Sequence, residues 1–214
     1  MIWFEAIPKV ATGIAALVGA WVALQGLRAW RVQLHGKTEY DLARRVLRGV
    51  FRVRDQIAYV RSPFVPAGEM IDAYKSAGLD PNEINLLNDT KRRDELVYQR
   101  RWQPLAAALS ELSLEILEAE VLWGQPVRAC ERALKSAVGE LNAAISLYLR
   151  DIHTNNLRQD THAAERMEKQ LAIVYTGLPP DEFGASVEKT VKSFEDLLRP
   201  HLHGGRRGHA GQAA

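Results

Sequence analysis

The stretch YQRRWQPLAAALSELSLEILEAEVLW, residues 98–123, carries the strongest structural signal in this chain of 214 residues. Its apolar positions recur at alternating steps of four and three, the spacing of a helix face that packs against another helix. This line consists of Tyr98, Trp102, Leu105, Leu109, Leu112, Ile116, Ala119 and Trp123. The pattern predicts a long helix that begins near Asp94, with a kink or a restart at Pro104.

A second helix with the same repeat follows after a short turn, where Gly124 suits a C-cap and Pro126 a first helical position. Glu131 is the one polar residue within its apolar line, which consists of Val127, Leu134, Val138, Leu141, Ile145, Tyr148 and Ile152. Two helices joined by so few residues must run antiparallel. We therefore predict an all-α fold that contains an antiparallel, coiled-coil-like helical hairpin over residues 94–155.

The N-terminal stretch VATGIAALVGAWVALQGL, residues 10–27, contains no charged residue. Eighteen helical residues cover about 27 Å, which is close to the thickness of a bilayer's hydrocarbon core. This predicts a single transmembrane anchor over 10–30, with residues 1–9 as a short extracytoplasmic N-terminus. Basic residues are concentrated after the stretch, which predicts an inner-membrane protein with a cytoplasmic C-terminal domain. The alternatives are a cleaved signal peptide, leaving a soluble or secreted bundle, and a buried or interfacial helix.

Small residues recur every four positions within this stretch, at Ala15, Gly19 and Ala23. Such spacing lets a second helix approach closely. The pattern predicts a packing face for a second copy of the chain or for another membrane subunit. The alternative is an ordinary alanine-rich anchor without a partner.

Residues 38–61 form the pattern of a basic amphipathic helix. One face carries Ala43, Val46, Val50, Val53, Ile57 and Val60, and the opposite arc carries Arg44, Arg45, Arg48 and Arg52. A basic cluster held beside a membrane gains roughly 1 kcal/mol per residue from anionic lipid. We therefore expect these arginines to contact lipid headgroups, unless they only solvate a polar face.

Three glutamates, Glu111, Glu115 and Glu118, line one side of the first hairpin helix. They could pair with the basic helix or merely face solvent. Solvation is the commoner case, because an exposed ion pair contributes only about 0–1 kcal/mol.

The rest of the chain shows weaker patterns. We predict an irregular connection with short helices over 62–93, two short helices over 160–199 and a disordered tail over 200–214. The last of these helices should bury Phe183, Val187, Val191, Phe194 and Leu198.

No catalytic motif accompanies these helices: the sequence has no phosphate-binding glycine loop, nucleophile elbow or HExxH pair. The net charge of +2 is too small for a clear nucleic-acid surface, and Cys130 has no second cysteine to bond with. We predict no catalytic, cofactor or metal residue. The expected role is a membrane-anchored scaffold, adaptor or accessory subunit. The alternative is an enzyme or metal protein with a site assembled between helices.

Overall fold

The computed structural model describes residues 6–80, 90–153, 163–177 and 179–202. For residues 6–18, 28–29, 31–35, 153 and 163 it describes the backbone only. Over these residues the chain forms six α-helices and no strand. Their bounds are α1 Ala6–Val60, α2 Ala67–Ser76, α3 Thr90–Trp123, α4 Gln125–His153, α5 Ala163–Val174 and α6 Glu182–Leu202. The predicted all-α class and helical bundle are confirmed.

The chain divides into two compact units. One consists of Met1–Asp41 together with His201–Ala214, and the other of Leu42–Pro200. Within the first unit, Nδ1 of His201 lies 3.2 Å from Oε2 of Glu39. The second unit contains the hydrophobic core.

Helix α1 is continuous through Gly36, so the predicted basic helix over 38–61 is the last part of a longer helix. A glycine inside a helix costs only about 1 kcal/mol relative to alanine, which does not suffice to end the helix. Helix α1 ends at Val60, one residue before the predicted bound, and Pro63 disfavours helical backbone in the residue before it.

The structure contradicts the membrane anchor predicted over 10–30. The backbone there is helical, and the helix continues without a break to Val60. In the part of the chain that the structure describes, no helix has a stretch both long and apolar enough to cross a bilayer. The predictions of a single-pass anchor, an extracytoplasmic N-terminus and an inner-membrane location are wrong on this finding.

The core of the second unit follows the predicted lines closely on α1 and α6. All six predicted apolar residues of α1 are buried, and so are the five predicted residues of α6. Helices α3 and α4 pack against each other across Gly124, whose φ of 70° is the left-handed conformation of a helix C-cap. Across this turn, Arg128 of α4 donates from Nε to Glu120 of α3 at 2.7 Å.

The buried line of α3 differs from the predicted one in its first half. It consists of Val97, Arg101, Leu105, Ala108, Leu112, Ile116 and Ala119. Tyr98, Trp102 and Leu109 are displaced by one position and are only half-buried. The helix also continues through Pro104, which is exposed.

The segment boundaries differ in two further places. The predicted irregular connection 62–93 contains α2 and the start of α3, while 81–89 lies outside the described residues. Helix α6 continues past Pro200 to Leu202, so the predicted tail does not begin at 200. Residues 203–214 lie outside the described part of the chain.

Candidate functional site

Two of the four arginines predicted to face lipid, Arg45 and Arg52, form ion pairs with glutamates of α3. Arg45 donates from Nε to Glu115 at 2.8 Å and from Nη2 to Glu118 at 2.6 Å. Arg52 pairs with Glu111 through Nη1. The two charged lines recognised in the sequence therefore face each other across α1 and α3. All these side chains remain at least one-third exposed.

The other two arginines of the arc, Arg44 and Arg48, are exposed. They form no ion pair with the residues that the structure describes. The contact of the arginine arc with lipid stays a prediction.

The predicted helix-packing residues lie in the N-terminal part of α1. Gly19 and Ala23 are exposed, and the side chain of Ala15 lies outside the described residues. No other atom would come within 4 Å of a Cβ added at Gly19. The backbone there is thus open to the approach of another chain.

Among the described residues, Arg101 has the largest fully buried side chain, with 1% of its surface exposed. It donates to both carboxylate oxygens of Glu69, at 2.6 and 3.0 Å. It also donates to the carbonyl oxygens of Ser62 and Phe64, at 2.6 and 2.7 Å, and lies over the Tyr59 ring. These bonds fix the connection between α1 and α2. They also hold the pKa of Glu69 below its usual value.

A second buried arginine, Arg61, binds the ends of two helices. It pairs with Asp181 at 2.8 Å and lies over the Phe183 ring. Its other bonds go to the carbonyl oxygens of Ala172, Ile173 and Tyr175 at the end of α5. Asp181 in turn accepts a hydrogen bond from the amide of Gly184, 2.8 Å away, in the first turn of α6.

Glu131, the polar residue in the α4 line, is 2% exposed. Its carboxylate pairs with Arg128 at 2.8 Å and Lys135 at 2.7 Å. Burial opposes its ionisation, but the two cations outweigh burial, and the pKa of Glu131 lies below its usual value. This arrangement explains how a charge is accommodated beside the hairpin turn.

Three tyrosines meet at a cavity of about 260 Å³ inside the second unit. The hydroxyls of Tyr148 and Tyr175 lie 2.9 Å apart and their rings meet edge to face, with centroids separated by 5.7 Å. Tyr98 lines the same cavity. Burial raises the pKa of Tyr98 and of Tyr175 to about 12 and that of Tyr148 further. All three phenols are therefore protonated at neutral pH.

Charged and apolar groups complete the walls of this cavity. Arg93 donates from Nε to Asp94 at 3.0 Å, and both side chains line the cavity. The apolar wall is formed by Val65, Met70 and Val97, together with Pro63. Periodicity did not indicate this site, because its residues come from four separated segments.

Other residues considered in the sequence give no reactive cluster. Burial raises the pKa of the Cys130 thiol, which makes it a poorer nucleophile. Among the described residues, no three His, Cys, Asp or Glu side chains are grouped so as to hold a metal ion. His162, His203 and His209 lie outside the described residues.

The fold therefore defines an all-helical bundle protein. Comparison with protein-family models, with curated proteins and with solved structures finds no match to this chain.

Proposed function

We propose that this protein is a non-enzymatic helical scaffold that self-associates through the apolar N-terminal part of α1. One observation carries the proposal: every residue from Gly19 to Leu27 is exposed, and none is charged. The large side chains among them include Trp21, exposed to 62%, and Leu24, exposed to 58%. Trp30 is also exposed.

An apolar helix that is exposed on all sides is normally covered by another element. A second copy of the same segment is a suitable partner, because two uncharged helices meet without like-charge repulsion. Gly19 and Gly26 also leave the backbone open, since no other atom lies within 4 Å of a Cβ built at either position. When two helices approach closely at glycines, their backbone atoms gain dispersion attraction.

The energy available is of the right size for reversible assembly. Full burial of a large apolar side chain contributes about 1.5–3 kcal/mol. Trp21, Val22, Leu24 and Leu27 are each about half exposed. Covering them in both copies would contribute about 6–12 kcal/mol. Association costs about 4–15 kcal/mol, so we expect an oligomer that dissociates on dilution.

Light scattering coupled to size-exclusion chromatography of the full chain tests this proposal over a series of protein concentrations. We expect the mass to rise with concentration for the native chain. The double variant Val22→Glu/Leu24→Glu should remain a monomer, because a symmetric contact would bring its like charges together.

Val121→Glu is the matched control. Val121 is a still more exposed apolar residue, at 84%, but it lies on α3. This variant should associate as the native chain does. A native chain that stays monomeric at every concentration, or a double variant that associates normally, would overturn the proposal.

A further inference from the structure

The size of the tyrosine cavity limits what it can hold. An apolar cavity of about 150 Å³ is large enough to bind benzene. At about 260 Å³, the cavity beside Tyr98, Tyr148 and Tyr175 has room for one ring and a small polar substituent. Sites for larger ligands, such as drug-sized molecules, occupy about 300–1,000 Å³.

The donors at the cavity indicate which polar substituent fits. Arg101 also lines it, but its guanidinium is engaged by Glu69 and by the carbonyls of Ser62 and Phe64. Arg93 uses Nε for Asp94. Its two terminal nitrogens bond no residue in the described part of the chain. The edge formed by the two terminal nitrogens of a guanidinium matches a carboxylate, which it binds through two parallel hydrogen bonds.

The remaining walls suit a ring. Val65, Met70 and Val97 supply apolar contacts, and a thioether packs well against an aromatic edge. The tyrosines are uncharged at neutral pH, so they place no negative charge beside an incoming anion. Asp94 places a negative charge in the wall, which disfavours an anion, but its Oδ1 atom accepts a hydrogen bond from Arg93.

From these observations we propose that the cavity binds a small single-ring carboxylate, with the ring against the tyrosines and the carboxylate on the terminal nitrogens of Arg93. This inference is independent of self-association through α1, because every residue that carries it lies in the second unit.

Isothermal titration of the full chain with benzoate tests the proposal. Benzylamine and benzyl alcohol are titrated in parallel, since they keep the ring but replace the anion by a cation or a neutral group. We expect saturable binding of benzoate and weaker binding of the other two. Hydrogen bonds to charged groups are strong, so Arg93→Gln should weaken benzoate binding about tenfold or more.

Two further variants separate the site from general effects. Arg100→Gln removes the same charge from the same helix at an exposed position and should leave benzoate binding unchanged. Val65→Trp fills the cavity from a half-buried loop position and should abolish binding. The proposal fails if benzoate does not bind saturably, if benzylamine binds more tightly, or if Arg93→Gln binds benzoate as the native chain does.

Discussion

Gly49 of α1 packs directly against Leu112 of α3: a Cβ atom placed on Gly49 would lie 3.0 Å from Cδ1 of Leu112. Leu112 is 1% exposed and lies among the buried residues of α3. The glycine therefore sets how closely these two helices approach. The same approach brings the arginines of α1 within reach of the glutamates of α3.

Gly49→Ala should fail to stabilise the protein although alanine is the better helix former. The gain of about 1 kcal/mol in helix propensity is opposed by overpacking, which costs about 1–3 kcal/mol. We expect a net loss of up to about 2 kcal/mol in the free energy of unfolding, measured by urea denaturation. Gly139→Ala is the control, because a Cβ at this helical glycine meets no other atom within 4 Å. It should stabilise by about 0.5–1 kcal/mol, and equal effects of the two variants would contradict the packing argument.

Arg101→Met should be strongly destabilising. It leaves the carboxylate of Glu69 and the carbonyls of Ser62 and Phe64 without their buried donor. Removing one partner of a buried ion pair costs about 3–5 kcal/mol. Chemical denaturation measures this loss. Arg100→Met, at the adjacent exposed position, should change stability by no more than about 0.5 kcal/mol. A loss at Arg101 as small as that would show that the buried network contributes little.

The ion pairs between α1 and α3 should contribute only weakly. A double-mutant cycle with Arg45→Gln and Glu115→Gln should give a coupling energy of about 0.2–1 kcal/mol, because Arg45 is 42% exposed. The coupling should fall as salt is added. The same cycle with Arg44→Gln in place of Arg45→Gln should give no coupling, since Arg44 has no such pair among the described residues. A coupling above about 2 kcal/mol would mean that the pair is far better shielded than its exposure indicates.

The sequence predicts the helices of this protein better than their contacts. On α1 and α6 the described buried positions are all apolar, and spacing alone identifies all of them except Leu42. On α3 two large aromatic residues, Tyr98 and Trp102, lie one position away from the buried line. The predicted apolar line therefore follows these two residues rather than the buried positions. The buried position is held by Arg101, which satisfies its donors with carbonyls about forty residues earlier. The spacing of apolar residues cannot indicate a buried arginine whose partners are backbone carbonyls of a distant segment.

In the candidate sites, too, the sequence predicts the helices better than the contacts between them. The sequence shows the line of arginines on α1 and the line of glutamates on α3. It does not show that Arg45 and Glu115 meet. That depends on the close approach at Gly49. The tyrosine cavity is less predictable still, because Tyr98, Tyr148 and Tyr175 come together only when α3, α4 and the end of α5 are assembled.

Acid should weaken the junction between α1 and α6 through Asp181. Its hydrogen bond with Arg61 lowers the pKa of Asp181 below the ordinary value of 3.8. A carboxylate with a lowered pKa contributes stability above its unfolded pKa and loses that contribution as the pH falls through the folded pKa. We therefore expect the free energy of unfolding to decrease as the pH falls below about 4.

Asp181→Asn isolates this charge, because asparagine also caps helix N-termini well. At neutral pH it should lower the free energy of unfolding by about 1–3 kcal/mol, as Arg61 then lacks its anion. It should also flatten the decrease in stability below about pH 4. Asp196→Asn, at an exposed position of α6, should change neither quantity appreciably. Urea denaturation of the three proteins from neutral to acidic pH distinguishes these outcomes. An unchanged acid slope in Asp181→Asn would mean that other carboxylates, such as Glu69 beside Arg101, dominate the acid response.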